Sequence, residues 1–118
     1  EGFAAGELKH GPIALVEEGQ PVFVIVPSPR GRDSLHSKVV SNIQEIRARG
    51  AETIVIAEEG DTSVEDYANH VIRIPQSPTL LQPLLATVPL QIFAAHVAKS
   101  KGYDVDQPRN LAKSVTVE

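Results

Sequence analysis

The densest group of chemistry-bearing side chains is Gly6-Glu7-Leu8-Lys9-His10-Gly11-Pro12. An acid, a base and an imidazole stand between glycines, directly before an apolar stretch. A loop of this kind can present a general acid or base to a small molecule, because imidazole exchanges protons near neutral pH. The same residues also suit a helix ending at Gly6, followed by a turn whose charges face water. Lys113 is a second candidate. A lysine whose pKa is lowered by burial can attack a carbonyl and form a Schiff base, whereas a lysine in a terminal tail is ordinarily solvated. Ser28-Pro29-Arg30-Gly31-Arg32-Asp33-Ser34 lies between a strand pattern and a helix pattern, where anions can bind, but it carries no phosphate-loop fingerprint. His36, His70 and His96 have no metal-ligand spacing among themselves or with a carboxylate. His36 and His70 read as surface or interface residues and His96 as a hydrogen-bonded packing residue on a long helix.

Three short runs can position these groups as strands: residues 22–26, 53–57 and 71–74. The first two are continuously apolar and rich in Val and Ile. That composition suits a parallel sheet covered on both faces. Between them, Leu35, Val39, Ile43 and Ile46 repeat at spacings of four, four and three. The repeat predicts a helix over 34–49 with one apolar stripe. Asp33 or Ser34 can cap its start, and Gly50 can supply the left-handed position after its end. The acidic link over 58–70 predicts at most a short helix around 63–68. A long helix is expected over 79–101, after Ser77-Pro78 and before Gly102. Pro83 and Pro89 should bend it or delay its start. Its side chains are apolar around most of the circumference, which suggests a partner subunit or further protein mass. Together these elements predict an α/β fold, a three-layer α/β/α sandwich with a parallel sheet. With only three visible strands, one sheet edge should lack its neighbour.

Composition narrows the function. The chain has 118 residues, 42% of them apolar, with no Cys, no Met and no Trp. One domain with one core fits that length. The lack of Cys excludes a disulfide scaffold, a thiolate zinc site and a thiol nucleophile within these residues. The net charge of −4, without clustered Lys and Arg, argues against a nucleic-acid surface. No apolar run approaches the roughly 20 residues of a membrane span, and a cytoplasmic location is the expectation. The absence of an initiator Met leads us to expect either a processed N-terminus or a piece of a longer protein.

The order of motifs resembles the glutamine–fructose-6-phosphate aminotransferase family. Ala5 to Pro12 with Ala14-Leu15 is similar to one segment of that family. Ser41-Asn42-Ile43 with Arg47-Ala48-Arg49-Gly50, and Thr87-Val88-Pro89-Leu90-Gln91, continue the likeness. It is most specific in the run from Asp104-Val105-Asp106-Gln107-Pro108-Arg109-Asn110-Leu111-Ala112-Lys113 to Glu118. The resemblance implies that residues 1–102 are the later part of the second sugar isomerase (SIS) subdomain of an isomerase domain. Residues 103–118 would be its C-terminal tail.

The family makes glucosamine 6-phosphate and glutamate from fructose 6-phosphate and glutamine. The resemblance therefore implies that Lys113 holds the open-chain sugar as a Schiff base and that Ala112 lies in the sugar site. It implies that His10 assists ring opening from a neighbouring subunit. The implied partners are the two phosphosugars, a glutaminase domain, a first SIS subdomain and a second copy in a homodimer. No cofactor, metal, nucleic acid or membrane is implied. Glu1 and Glu7 do not match the family's isomerising glutamate, so the isolated 118 residues are expected to be inactive. The alternative is a non-catalytic SIS-type module that binds phosphosugar or dimerises through the long helix.

Overall fold

The structure, a computed structural model, describes residues 1–30 and 35–107. The chain divides into two compact units, Glu1–Ala86 and Thr87–Glu118. The first unit carries a sheet of three parallel strands, β1 (Pro21–Ile25), β2 (Glu52–Glu58) and β3 (His70–Ile74), in the order β1-β2-β3. All three expected strands are present, each within one residue at either end. Pro21 opens β1, the strand position at which a missing N–H does least harm.

The pleat sorts the sheet into two faces. Val24, Val55 and Ala57 point to one face and join Val39, Ile43 and Ile46 of α2 (Leu35–Arg47) in the main core. The predicted stripe is therefore the buried stripe, except at Leu35, which is exposed. Arg47 lies in the last turn of α2, and Gly50 follows with φ +85°. A Cβ at Gly50 would also come within 3.1 Å of the Glu18 backbone, so both conformation and space select glycine there. Ile56 and Ile74 point to the opposite face and are buried too, while Ile25 at the sheet edge is exposed.

The link between β2 and β3 forms a series of turns rather than a helix over 63–68. Side chains pin it instead. The Thr53 N–H donates to Asn69 Oδ1 at 2.9 Å, and the Asn69 N–H donates to Thr53 Oγ1 at 3.1 Å. Thr53 is fully buried, so these bonds satisfy groups that water cannot reach.

The long helix is α3 (Gln82–Ser100). It starts three residues later than the pattern predicts, with Pro83 as its second residue and Pro89 inside it. The first turn of a helix tolerates proline because its N–H groups have no intrahelical partner. Only Gln82 and Ala86 of α3 are buried, and Leu84, Val88, Ile92 and Phe93 are exposed. No helix among the described residues is long and apolar enough to cross a membrane.

Candidate functional site

His10 follows α1 (Ala5–Leu8) and precedes a 3₁₀ turn at Pro12–Leu15. Sequence reasoning identified the loop but not the 3₁₀ turn. Ala5 and Leu8 pack against the main core and anchor the loop. Glu7, Lys9 and His10 are exposed. The His10 N–H donates to Glu7 O at 3.0 Å and fixes the turn. Gly11 takes φ +155° and ψ −60°, a conformation that side chains beyond glycine rarely adopt. Pro12 follows in the first turn, where its missing N–H costs nothing. Each residue of His10-Gly11-Pro12 thus has a backbone reason, and the outcome is an imidazole held at the surface. Its ring makes no hydrogen bond to another described residue. Lys113 and Ala112 lie outside the described residues.

The carboxyl end of the sheet holds a second polar centre that sequence reasoning only touched. Glu58, the last residue of β2, has a side chain only 2% exposed. Ser28 Oγ donates to Glu58 Oε2 at 2.7 Å, and the Arg30 guanidinium and the Ser77 N–H (3.1 Å) donate to Oε1. Burial alone pushes this carboxyl up, but the bonds from Ser28, Arg30 and Ser77 and the guanidinium charge outweigh it. The net result lies below the usual glutamate range. The Gln82 side chain braces the same region: its Oε1 accepts from the Ser28 N–H at 2.9 Å. The loop containing Ser28 was flagged as an anion site. Glu58 itself gave one signal, an acid directly after a continuously apolar strand.

His36, Asp61 and Ser63 meet nearby. His36 Nε2 lies 2.7 Å from Asp61 Oδ2 and 3.3 Å from Ser63 Oγ, and Ser63 Oγ donates to Asp61 Oδ1 at 2.5 Å. These are the residue types of a hydrolase triad in the wrong arrangement. A relay needs the acid on one ring nitrogen and the serine on the other, whereas here both reach the same nitrogen. The group is structural. It holds the turn after β2 to the start of α2, and its hydrogen bonds lower the Asp61 pKa against the upward push of burial. His36, expected at a surface or an interface, has a side chain only 16% exposed. His70 pairs with Glu52 at 3.0 Å on the surface. His96 is exposed rather than packed. No group of three or more His, Asp or Glu among the described residues could hold a metal ion.

Comparison with known proteins decides the family. Residues 1–100 match the SIS domain family. The chain belongs to the SIS domain family. Over all 118 residues it is 87% identical to glutamine–fructose-6-phosphate aminotransferase (isomerizing) of Corynebacterium diphtheriae, covering 19% of that protein. Identity is 75% to the Streptomyces coelicolor protein of the same name and 70% to that of Mycobacterium tuberculosis, again over 19% of each. The chain thus spans about a fifth of the length of the curated relatives it matches. Among solved structures, the C-terminal domain of glucosamine-fructose-6-phosphate aminotransferase from Francisella tularensis superposes with a TM-score of 0.73. It is 38% identical, and the match covers 89% of this chain and 29% of that one. The SIS assignment accounts for the parallel sheet, and the family resemblance read from the motifs agrees with these relatives.

Proposed function

We propose that this SIS chain is part of the isomerase portion of an enzyme that makes glucosamine 6-phosphate and glutamate from fructose 6-phosphate and glutamine. The observation that carries this reading is the 87% identity to such an aminotransferase over the entire chain. Residues 1–102 then belong to the second SIS subdomain and residues 103–118 form the tail. A glutaminase domain and a first SIS subdomain complete the protein, which works as a homodimer in the cytoplasm. Exposed Leu84, Val88 and Ile92, recurring every four residues along α3, fit an apolar contact with other protein surface.

In this reading His10 moves a proton at the ring oxygen of fructose 6-phosphate, so that the hemiketal opens and C2 becomes a carbonyl. A proton shuttle needs a group that titrates near neutrality, and imidazole is one. The solvent-facing position of His10 supports its use by a neighbouring subunit. The Lys113 amine then attacks C2, water leaves, and a Schiff base forms. Ammonia adds to the iminium carbon C2 and expels the Lys113 amine, and the new C2 iminium draws electron density from C1, which acidifies the C1 proton and allows its transfer to C2. Ala112 packs beside the sugar. Nitrogen arrives as ammonia released from glutamine elsewhere in the protein.

The test is Lys113→Ala in the full-length protein. Glucosamine 6-phosphate formation should be abolished, while glutamine hydrolysis stays measurable. Wild-type synthesis by this variant would overturn the assignment.

A further inference from the structure

Parallel α/β sheets take their ligands at the carboxyl ends of the strands. In this chain that place is filled by Glu58. The donors to its carboxylate come from two separate segments, Ser28 and Arg30 after β1 and Ser77 after β3, while Gln82 of α3 accepts from the Ser28 N–H and fixes that backbone. A hydroxyl, a guanidinium and a backbone N–H converging on one point are what proteins offer a bound oxyanion.

An ion pair gains little when its cation is exposed, as Arg30 is. Glu58 instead spends three donors, and Ser28 and Gln82 are buried with it. The backbone carrying Glu58 is held as well: Arg73 Nη1 donates to Glu58 O at 3.2 Å and to Asp61 O at 2.6 Å. The Ser77 hydroxyl oxygen is buried and has no hydrogen-bond partner among the described residues. A further polar group thus sits on the very residue whose N–H grips the carboxylate.

We propose that this donor cluster is an oxyanion cradle occupied by the chain's own Glu58. While Glu58 is in place, the cradle takes no external anion, and this lobe serves as scaffold. Emptied, it accepts a small carboxylate. The inference is independent of the sugar chemistry proposed above, because it concerns donors wholly within residues 28–82.

The substitution Glu58→Ala removes Cγ, Cδ and both carboxylate oxygens, four heavy atoms that match acetate. Acetate is therefore the probe. In the full-length protein carrying Glu58→Ala, the acetate methyl resonance should broaden saturably at constant ionic strength. Wild type should show no such broadening, and the Arg30→Ala/Glu58→Ala double variant should lose it. Equal behaviour of wild type and Glu58→Ala, or broadening that persists in the double variant, overturns the proposal. If Glu58→Ala does not accumulate in folded form, its refolding yield in acetate is compared with that in chloride. A higher yield in acetate supports the cradle, and equal yields overturn it.

Discussion

Gly11→Ala separates backbone geometry from side-chain chemistry in the His10 loop. At φ +155° and ψ −60° a Cβ is conformationally strained, although no heavy atom lies within 4 Å of where it would sit. The cost is therefore strain without clash, about 1–3 kcal/mol. At 1.4 kcal/mol per factor of ten, that lowers the population of the native loop by about 5- to 150-fold if the loop relaxes. Relaxation is easy here. No residue of α1 is fully buried, and only Ala5 and Leu8 touch the core. The chain can shift the loop and keep its sheet. Gly11→Ala should thus leave the unfolding midpoint close to wild type while glucosamine 6-phosphate synthesis falls by about one order of magnitude or more. Gly6→Ala is the control. Gly6 sits within α1 without a positive φ, and its Cβ meets nothing within 4 Å. Alanine there should stabilise the helix by about 0.5–1 kcal/mol and preserve activity. Coupled synthesis and glutamine-hydrolysis assays on the full-length protein decide the matter. Full synthesis by Gly11→Ala would refute the claim that this backbone geometry positions His10.

Three further outcomes are expected. Ile43 is fully buried between α2 and the sheet, so Ile43→Ala should cost about 3 kcal/mol: roughly 0.8 for each of three lost carbons, plus a cavity. Chemical denaturation measures this, and a change below about 1 kcal/mol would contradict the packing. Gly50→Ala combines positive φ with a 3.1 Å approach to Glu18, so it should destabilise by about 1–3 kcal/mol, whereas Gly102→Ala, with positive φ but open space, should cost less. Glu58 and Asp61 both have carboxyl pKa values lowered by folding, so their contribution is complete above the ordinary values of 4.5 and 3.8 and is lost as pH falls through the folded values. Acid unfolding followed by circular dichroism should therefore steepen below about pH 4.5, and Glu58→Gln should flatten that slope.

The sequence made the regular elements readable because each carries its own period. Continuous Val and Ile runs marked β1 and β2, and the stripe from Leu35 to Ile46 marked α2. Gly50 was legible because a helix end favours a left-handed residue. The turn over 63–68 was harder to read. Its order comes from Thr53 and Asn69, sixteen residues apart, and not from local propensity. The Glu58 centre was legible only in part, at the Ser28 loop, for the same reason. Its donors lie 30 residues before it and 19 after it, and only the parallel register brings them together. The partners of His36, Asp61 and Ser63, sit beyond the next strand, so nothing in its local sequence revealed them. The His10 loop was found through its residue types, while its geometry depends on the φ of Gly11, which no periodicity reveals. Lys113 was a candidate by residue type, its role toward the sugar came from the family resemblance, and it lies outside the described residues.

Borohydride reduction of the full-length protein in the presence of fructose 6-phosphate tests the central claim most directly. The account predicts a single covalent sugar adduct on the peptide containing Lys113, absent without sugar or without borohydride. Active enzyme that yields no adduct at Lys113 under these conditions would contradict it.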